Sequence, residues 1–135
     1  MSAFEWNKEF ELGIEAIDRQ HRELYRKIDH LSLSIYQGKG KDELRQLIKY
    51  LKSYIEEHFT YEENILERTD YPDLAAHKQQ HLRFIDYFKE LDHEIKSRGA
   101  DNFLAIKVEK EIRTWWTQHE LKFDRLYVPY LAGKP

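Results

Sequence analysis

The chain contains no cysteine, so it has no disulfide framework, no thiolate metal site and no nucleophilic thiol. Any bound metal must be held by histidine, carboxylate or tyrosine. Three prolines and five glycines in 135 residues leave few helix breakers and favour long helices. No apolar run approaches 18 residues, so no segment reads as a membrane span. The opening, MSAFEWNKEF, lacks a basic stretch followed by an apolar one, so no signal peptide is visible and a cytoplasmic location is expected. There is no basic excess either: 22 Lys and Arg against 25 Asp and Glu give a net charge of −3. That balance argues against a nucleic-acid partner.

What is present is helical periodicity. The length suits one domain over residues 1–135. Residues 1–17 carry Phe4, Trp6, Phe10, Leu12, Ile14 and Ile17 without helical spacing and read as an extended arm packed on the outside of a bundle. Asp18 is a candidate helix cap. Leu24, Ile28, Leu31 and Ile35 then recur at spacings of three and four, which predicts a helix over about 18–37. A second helix over 42–68 carries Leu44, Leu47, Ile48, Leu51 and Ile55. Tyr71-Pro72 breaks the chain, and Pro72 fits the first turn of a third helix over 72–98. Asp101 or Asn102 caps a fourth over 101–128, with Pro129 as its stop. Four long helices on short loops predict an all-α fold, an antiparallel up-down-up-down four-helix bundle with an extended N-terminal arm.

Seven histidines are spread over these helices. His58 lies in line with Ile48, Leu51 and Ile55. His77 and His81 lie in line with Phe84, Ile85 and Phe88. His119 follows Ile112, Trp115 and Trp116, and His21 precedes Leu24 and Ile28. Five imidazoles therefore project inward, with at least one from each helix. His30 and His93 fall about 180° and about 160° from the inward positions and should be solvated. A buried imidazole needs a partner at both nitrogens, and five in one core are easier to satisfy with metal than with one another. Glu62, one turn after His58, adds an inward carboxylate. Asp124, five residues after His119, is about 140° off in a regular α-helix and joins only if the last turn unwinds. Five imidazoles and two carboxylates are too many for one ion and suit two. Without thiolates, iron fits best.

These same stretches resemble the hemerythrin family, in particular single-domain bacterial hemerythrins. The resemblance runs over nearly the whole chain, through FELGIEAIDRQHREL (His21), HFTYEE (His58 and Glu62), YPDLAAHKQQH (His77 and His81) and WWTQHELKFDRLY (His119 and Asp124). It implies a non-haem pair of iron ions with an oxo or hydroxo bridge that binds dioxygen. His77, His81 and His119 would saturate one iron. His21 and His58 would hold the other, with its sixth position open, and Glu62 and Asp124 would bridge.

By the same resemblance, Leu24, Trp115, Trp116 and Glu120 line the open position. Two of them depart from the family, which usually carries Leu where Trp116 stands and an apolar residue where Glu120 stands. Glu120 is expected to reach the pocket and to coordinate, or hydrogen-bond near, the second iron; the alternative is that it turns to solvent. Tyr127, three residues after Asp124, is expected to give its hydroxyl to the bridging-ligand side. The functions implied are reversible dioxygen carriage, storage or delivery by a monomer. The alternatives are a di-iron peroxidase or oxidase that uses Glu120 on peroxide, and an oxygen or iron sensor module.

Overall fold

The computed structural model describes residues 10–131. Four long helices follow one another: α1 (Glu15–Tyr36), α2 (Gly40–Arg68), α3 (Leu74–Arg98) and α4 (Asn102–His119). A π-helical turn (Glu120–Asp124) then leads into α5 (Arg125–Leu131). The long helices pack as an antiparallel four-helix bundle because each carries one apolar stripe. Leu24, Ile28 and Leu31 of α1 meet Leu44, Leu51 and Ile55 of α2, Phe84 and Phe88 of α3, and Val108, Ile112 and Trp116 of α4 in one core. A second, smaller core closes one end. There Leu12 and Ile17 pack with Leu66, Tyr71, Tyr127 and Leu131.

The start of the first helix differs from expectation at Asp18. Most of the predicted arm, residues 1–9, lies outside the described residues. The first helix begins at Glu15, and its cap position is Ile14, without a side-chain cap. Asp18 is therefore not the cap. It sits buried in the first turn and accepts the backbone N–H groups of Leu12 (2.8 Å) and Gly13 (3.1 Å), pinning the incoming chain to α1. A short acidic side chain satisfies unpaired backbone donors equally well from inside the turn.

At the far end, α2 starts at Gly40, where a side chain would collide with Ile35, Ala105 and Asn102. The Gly40 N–H donates to Asn102 Oδ1 at 3.1 Å, tying the α1–α2 junction to the start of α4. Asp101 caps α4 by accepting from Leu104 N at 2.7 Å. Pro129 does not stop the last helix. It lies inside α5, after the π turn has reset the helical register, and gives up a single backbone donor there.

Candidate metal centre

The π turn resolves the geometric difficulty of Asp124. Its closing bond runs from Arg125 N–H to Glu120 O, one residue longer than an α-helical bond. The wider turn brings a residue five positions on back towards the same face. Asp124 Oδ1 consequently stands 3.0 Å from His119 Nε2, with both side chains buried.

All seven sequence-predicted ligands converge. His21, His58, Glu62, His77, His81, His119 and Asp124 are each at most 2% exposed. Six of them form two groups that share Glu62: His77, His81 and His119 on one side, His21 and His58 on the other. Glu62 Oε1 lies 2.6 Å from His77 Nε2 and 2.8 Å from His81 Nε2, while Oε2 lies 3.8 Å from His58 Nε2. Asp124 divides in the same way. Its Oδ1 faces His77 (3.3 Å) and His119 (3.0 Å), and its Oδ2 faces His21 (3.4 Å). His21 Nε2 and His58 Nε2 are 3.2 Å apart.

These spacings fit a metal. Donor atoms at right angles about one ion, each about 2.0–2.1 Å from it, stand about 3 Å from one another. The hydrogen-bonding pattern agrees: His119 Nε2 and both oxygens of Asp124 are buried without a well-formed hydrogen bond, although they crowd together. Such atoms fit a shared cation and are costly without one.

The outer nitrogens are held by residues that sequence reasoning passed over. His58 Nδ1 meets Gln20 Oε1 at 2.5 Å, and His81 Nδ1 meets Glu63 Oε2 at 2.6 Å. Both partners are sequence neighbours of predicted ligands, Gln20 before His21 and Glu63 after Glu62. A neighbour on a helix points about 100° away, towards the ligand of the adjoining helix, and this was the available signal. Tyr127 donates to Glu62 Oε2 at 2.7 Å. Aromatic faces cover the imidazoles: Phe59 stacks on His81 (3.8 Å between centroids), Tyr54 on His58 (5.2 Å) and Trp115 on His119 (4.6 Å).

The side chains expected at the open position divide. Leu24 and Trp116 are fully buried in the main core, and the Trp116 ring lies 5.8 Å from His58 and 6.4 Å from His21. Trp116 Nε1 has no hydrogen-bond partner among the described residues. Trp115 instead lies against His119, on the three-histidine side, because one helical step turns it about 100° from Trp116. Glu120 is buried and does not reach solvent. Nor does it enter between the ligands: its Oε1 is 2.9 Å from His21 Nδ1, on the outer edge of that ring. The contact has the distance of a charge-assisted hydrogen bond but not its direction. His30 and His93 are exposed.

Charge follows the same layout. Burial opposes protonation of His21, but Glu120, Asp124 and Glu62 outweigh it and push its pKa up to about 9. The same contest, decided by Asp124 and Glu62, pushes His77 up to about 10 and His119 up to about 9. Burial wins at His58, which is lowered to about 3. Burial also pushes the Glu120 carboxyl up, by more than His21 brings it down. The histidine contacts hold Glu62 and Asp124 below the usual carboxylate range despite burial.

Comparison with known proteins decides the family. The profile described as Hemerythrin HHE cation binding domain matches residues 12–131. The chain belongs to the hemerythrin family. It is 34% identical over 129 residues to a bacteriohemerythrin of Clostridium acetobutylicum, covering 93% of this chain and 98% of that protein. It is 30% identical to a myohemerythrin of Theromyzon tessulatum, covering 86% and 83%. A crystal structure of wild-type hemerythrin superimposes with a TM-score of 0.82 at 25% identity, covering 98% of this chain and all of that one, 100%. Hemerythrin membership and the buried His and Glu cluster place the chain among the non-haem di-iron proteins that bind dioxygen.

Proposed function

We propose that the chain binds dioxygen reversibly, as a carrier, store or delivery protein, at one member of an iron pair. His77, His81 and His119 would hold one iron, and His21 and His58 the other. Glu62 and Asp124 would bridge. The observation that carries this reading is the division of each carboxylate, with one oxygen towards each histidine group. The two-histidine side has one protein donor fewer, which leaves it the position for an outside ligand. When bound, the iron pair supplies the electrons and the open position that dioxygen binding requires.

The remaining work falls to the chain. Gln20 and Glu63 accept from the outer nitrogens of His58 and His81, which leaves each Nε2 free to face the metal. Tyr127 orients Glu62 through Oε2. Trp116, buried against His21 and His58, keeps bulk water from the two-histidine side.

A second reading, peroxidase or oxidase chemistry, is favoured by one observation, the buried carboxylate of Glu120 beside His21. The test is to supply the purified protein with iron, reduce it, admit air and then remove the air. Two irons per chain and a visible spectrum that appears and disappears with air support carriage. Irreversible oxidation together with steady peroxide consumption supports the enzyme.

A further inference from the structure

Three ligand imidazoles have an identified side chain at the outer nitrogen, and the three differ in charge and burial. His58 meets the neutral amide of Gln20. His81 meets the carboxylate of Glu63, which is 27% exposed. His21 meets the carboxylate of Glu120, which is 1% exposed. We propose that Glu120 is a positioning residue that sets the reduction potential of the two-histidine iron through His21, making that iron the more easily oxidised of the pair. The proposal rests on the di-iron reading above.

The geometry supports it from both edges of one ring. His21 Nε2 faces inward, 3.2 Å from His58 Nε2 and 3.4 Å from Asp124 Oδ2. An imidazole that coordinates through Nε2 carries its proton on Nδ1, and Glu120 Oε1, at 2.9 Å though off the hydrogen-bonding direction, is the anionic group beside that proton. An anion there strengthens the imidazole as a donor and favours the more highly charged metal. Screening does little to weaken the effect, because neither side chain exceeds 1% exposure. Glu63 acts on His81 from a wetter position, and Gln20 brings no charge.

The fold places this charge deliberately. Glu120 is the first residue of the π turn and directly follows His119. One helical step separates them by about 100°, so His119 serves the three-histidine side while Glu120 reaches α1 and His21. Trp116, four residues earlier, lies edge-on to His21 and closes the same side from solvent. Glu120 thus becomes a third buried carboxylate at the centre, after Glu62 and Asp124. Only the other two stand between the histidine groups. The consequence is a centre that yields electrons readily, with a dioxygen-bound form shorter lived than an apolar residue at position 120 would allow.

The experiment is a redox titration of the iron-loaded protein beside Glu120→Gln, Glu120→Asp and Glu63→Gln, with iron counted per chain in each. Glu120→Gln keeps the shape and removes the charge. It is expected to shift the ferric-to-ferrous ratio at a fixed potential about tenfold towards ferrous, a rise of about 59 mV for one electron. Glu120→Asp keeps the charge but draws it back, and should give a smaller rise. Glu63→Gln should move the potential less than Glu120→Gln. In the metal-free protein, the ring-nitrogen NMR signals of His21 should change in Glu120→Gln and not in Glu63→Gln. Two irons per chain with the potential of Glu120→Gln unchanged overturns the proposal and leaves the di-iron reading standing. If Glu120→Gln does not fold, an unchanged potential in Glu120→Asp does the same. Wild-type protein that takes up no iron overturns the di-iron reading, and the proposal with it.

Discussion

His119 and Asp124 are five residues apart in continuous helical chain, yet Nε2 of one and Oδ1 of the other lie 3.0 Å apart. The π turn Glu120–Asp124 makes this possible, and its first residue, Glu120, one regular helical step after His119, faces His21. One local irregularity therefore brings in a proposed bridging ligand, in a turn that opens on a buried carboxylate that meets His21.

Asp124→Ala should empty the site, because it takes a negative charge from between two cations and one donor from each. Even loss of an outer partner commonly costs 10–100-fold in affinity, so loss of a bridge is expected to cost at least about 100-fold. Glu62→Ala should behave alike. His30→Ala and His93→Ala, on exposed positions, should keep the wild-type iron content. Iron per chain after gel filtration decides the matter, and an empty site in His93→Ala would refute the assignment of inward faces.

Tyr127→Phe removes the donor to Glu62 Oε2 and leaves a buried carboxylate oxygen short of a partner. A hydrogen bond to a charged group contributes about 1.5–3 kcal/mol. A loss of that order is expected in urea unfolding of the metal-free protein, with weaker iron retention in the loaded one. Unchanged unfolding and unchanged iron retention would reduce Tyr127 to a packing residue of the end core.

The metal-free protein should be most stable near pH 6.5 and lose stability more steeply on the alkaline side. His21, His77 and His119 have folded pKa values of about 9, about 10 and about 9, above the ordinary 6.5. Their contribution is complete below pH 6.5 and is lost as pH rises through those values. His58 is lowered to about 3, so its contribution is present above pH 6.5 and lost as pH falls. Three groups act on the alkaline side and one on the acid side, until the carboxylates titrate. Thermal melts from pH 4 to pH 10 check the asymmetry. Metal needs neutral imidazoles, so iron-loaded protein should lack the alkaline loss.

Trp116→Leu should open the two-histidine side. The ring is fully buried against His21, His58, Tyr54 and Phe59, so trimming it leaves a cavity. A truncation of this kind costs about 3–5 kcal/mol at its largest, to alanine, and less to leucine. Azide should bind the oxidised protein faster in the variant, followed by stopped-flow absorbance. An equal rate would place the entry route elsewhere, for instance at the cleft of about 200 Å³ that reaches His58 past Gln20 and Tyr54.

The sequence by itself determined the four-helix fold and which imidazoles face inward. Apolar residues three and four apart define each stripe, and an imidazole on that stripe has nowhere to point but inward, so His21, His58, His77, His81 and His119 were legible from spacing alone. Tertiary structure decided what spacing cannot express. Asp124 was off the inward face by α-helical arithmetic, and only the π turn brought it back. Asp18 looked like a cap and proved to be a clasp for the incoming chain, because backbone donors can be met from either side of a helix start. Trp115 and Trp116 are neighbours in sequence but serve opposite sides of the centre. Gln20, Glu63 and Glu120 stand beside predicted ligands in the chain but meet predicted ligands of other helices, His58, His81 and His21. The physical reason is common to these cases. Periodicity fixes which face a side chain occupies, while which partner meets it across the bundle depends on helix rotation and on where the helix departs from its regular turn.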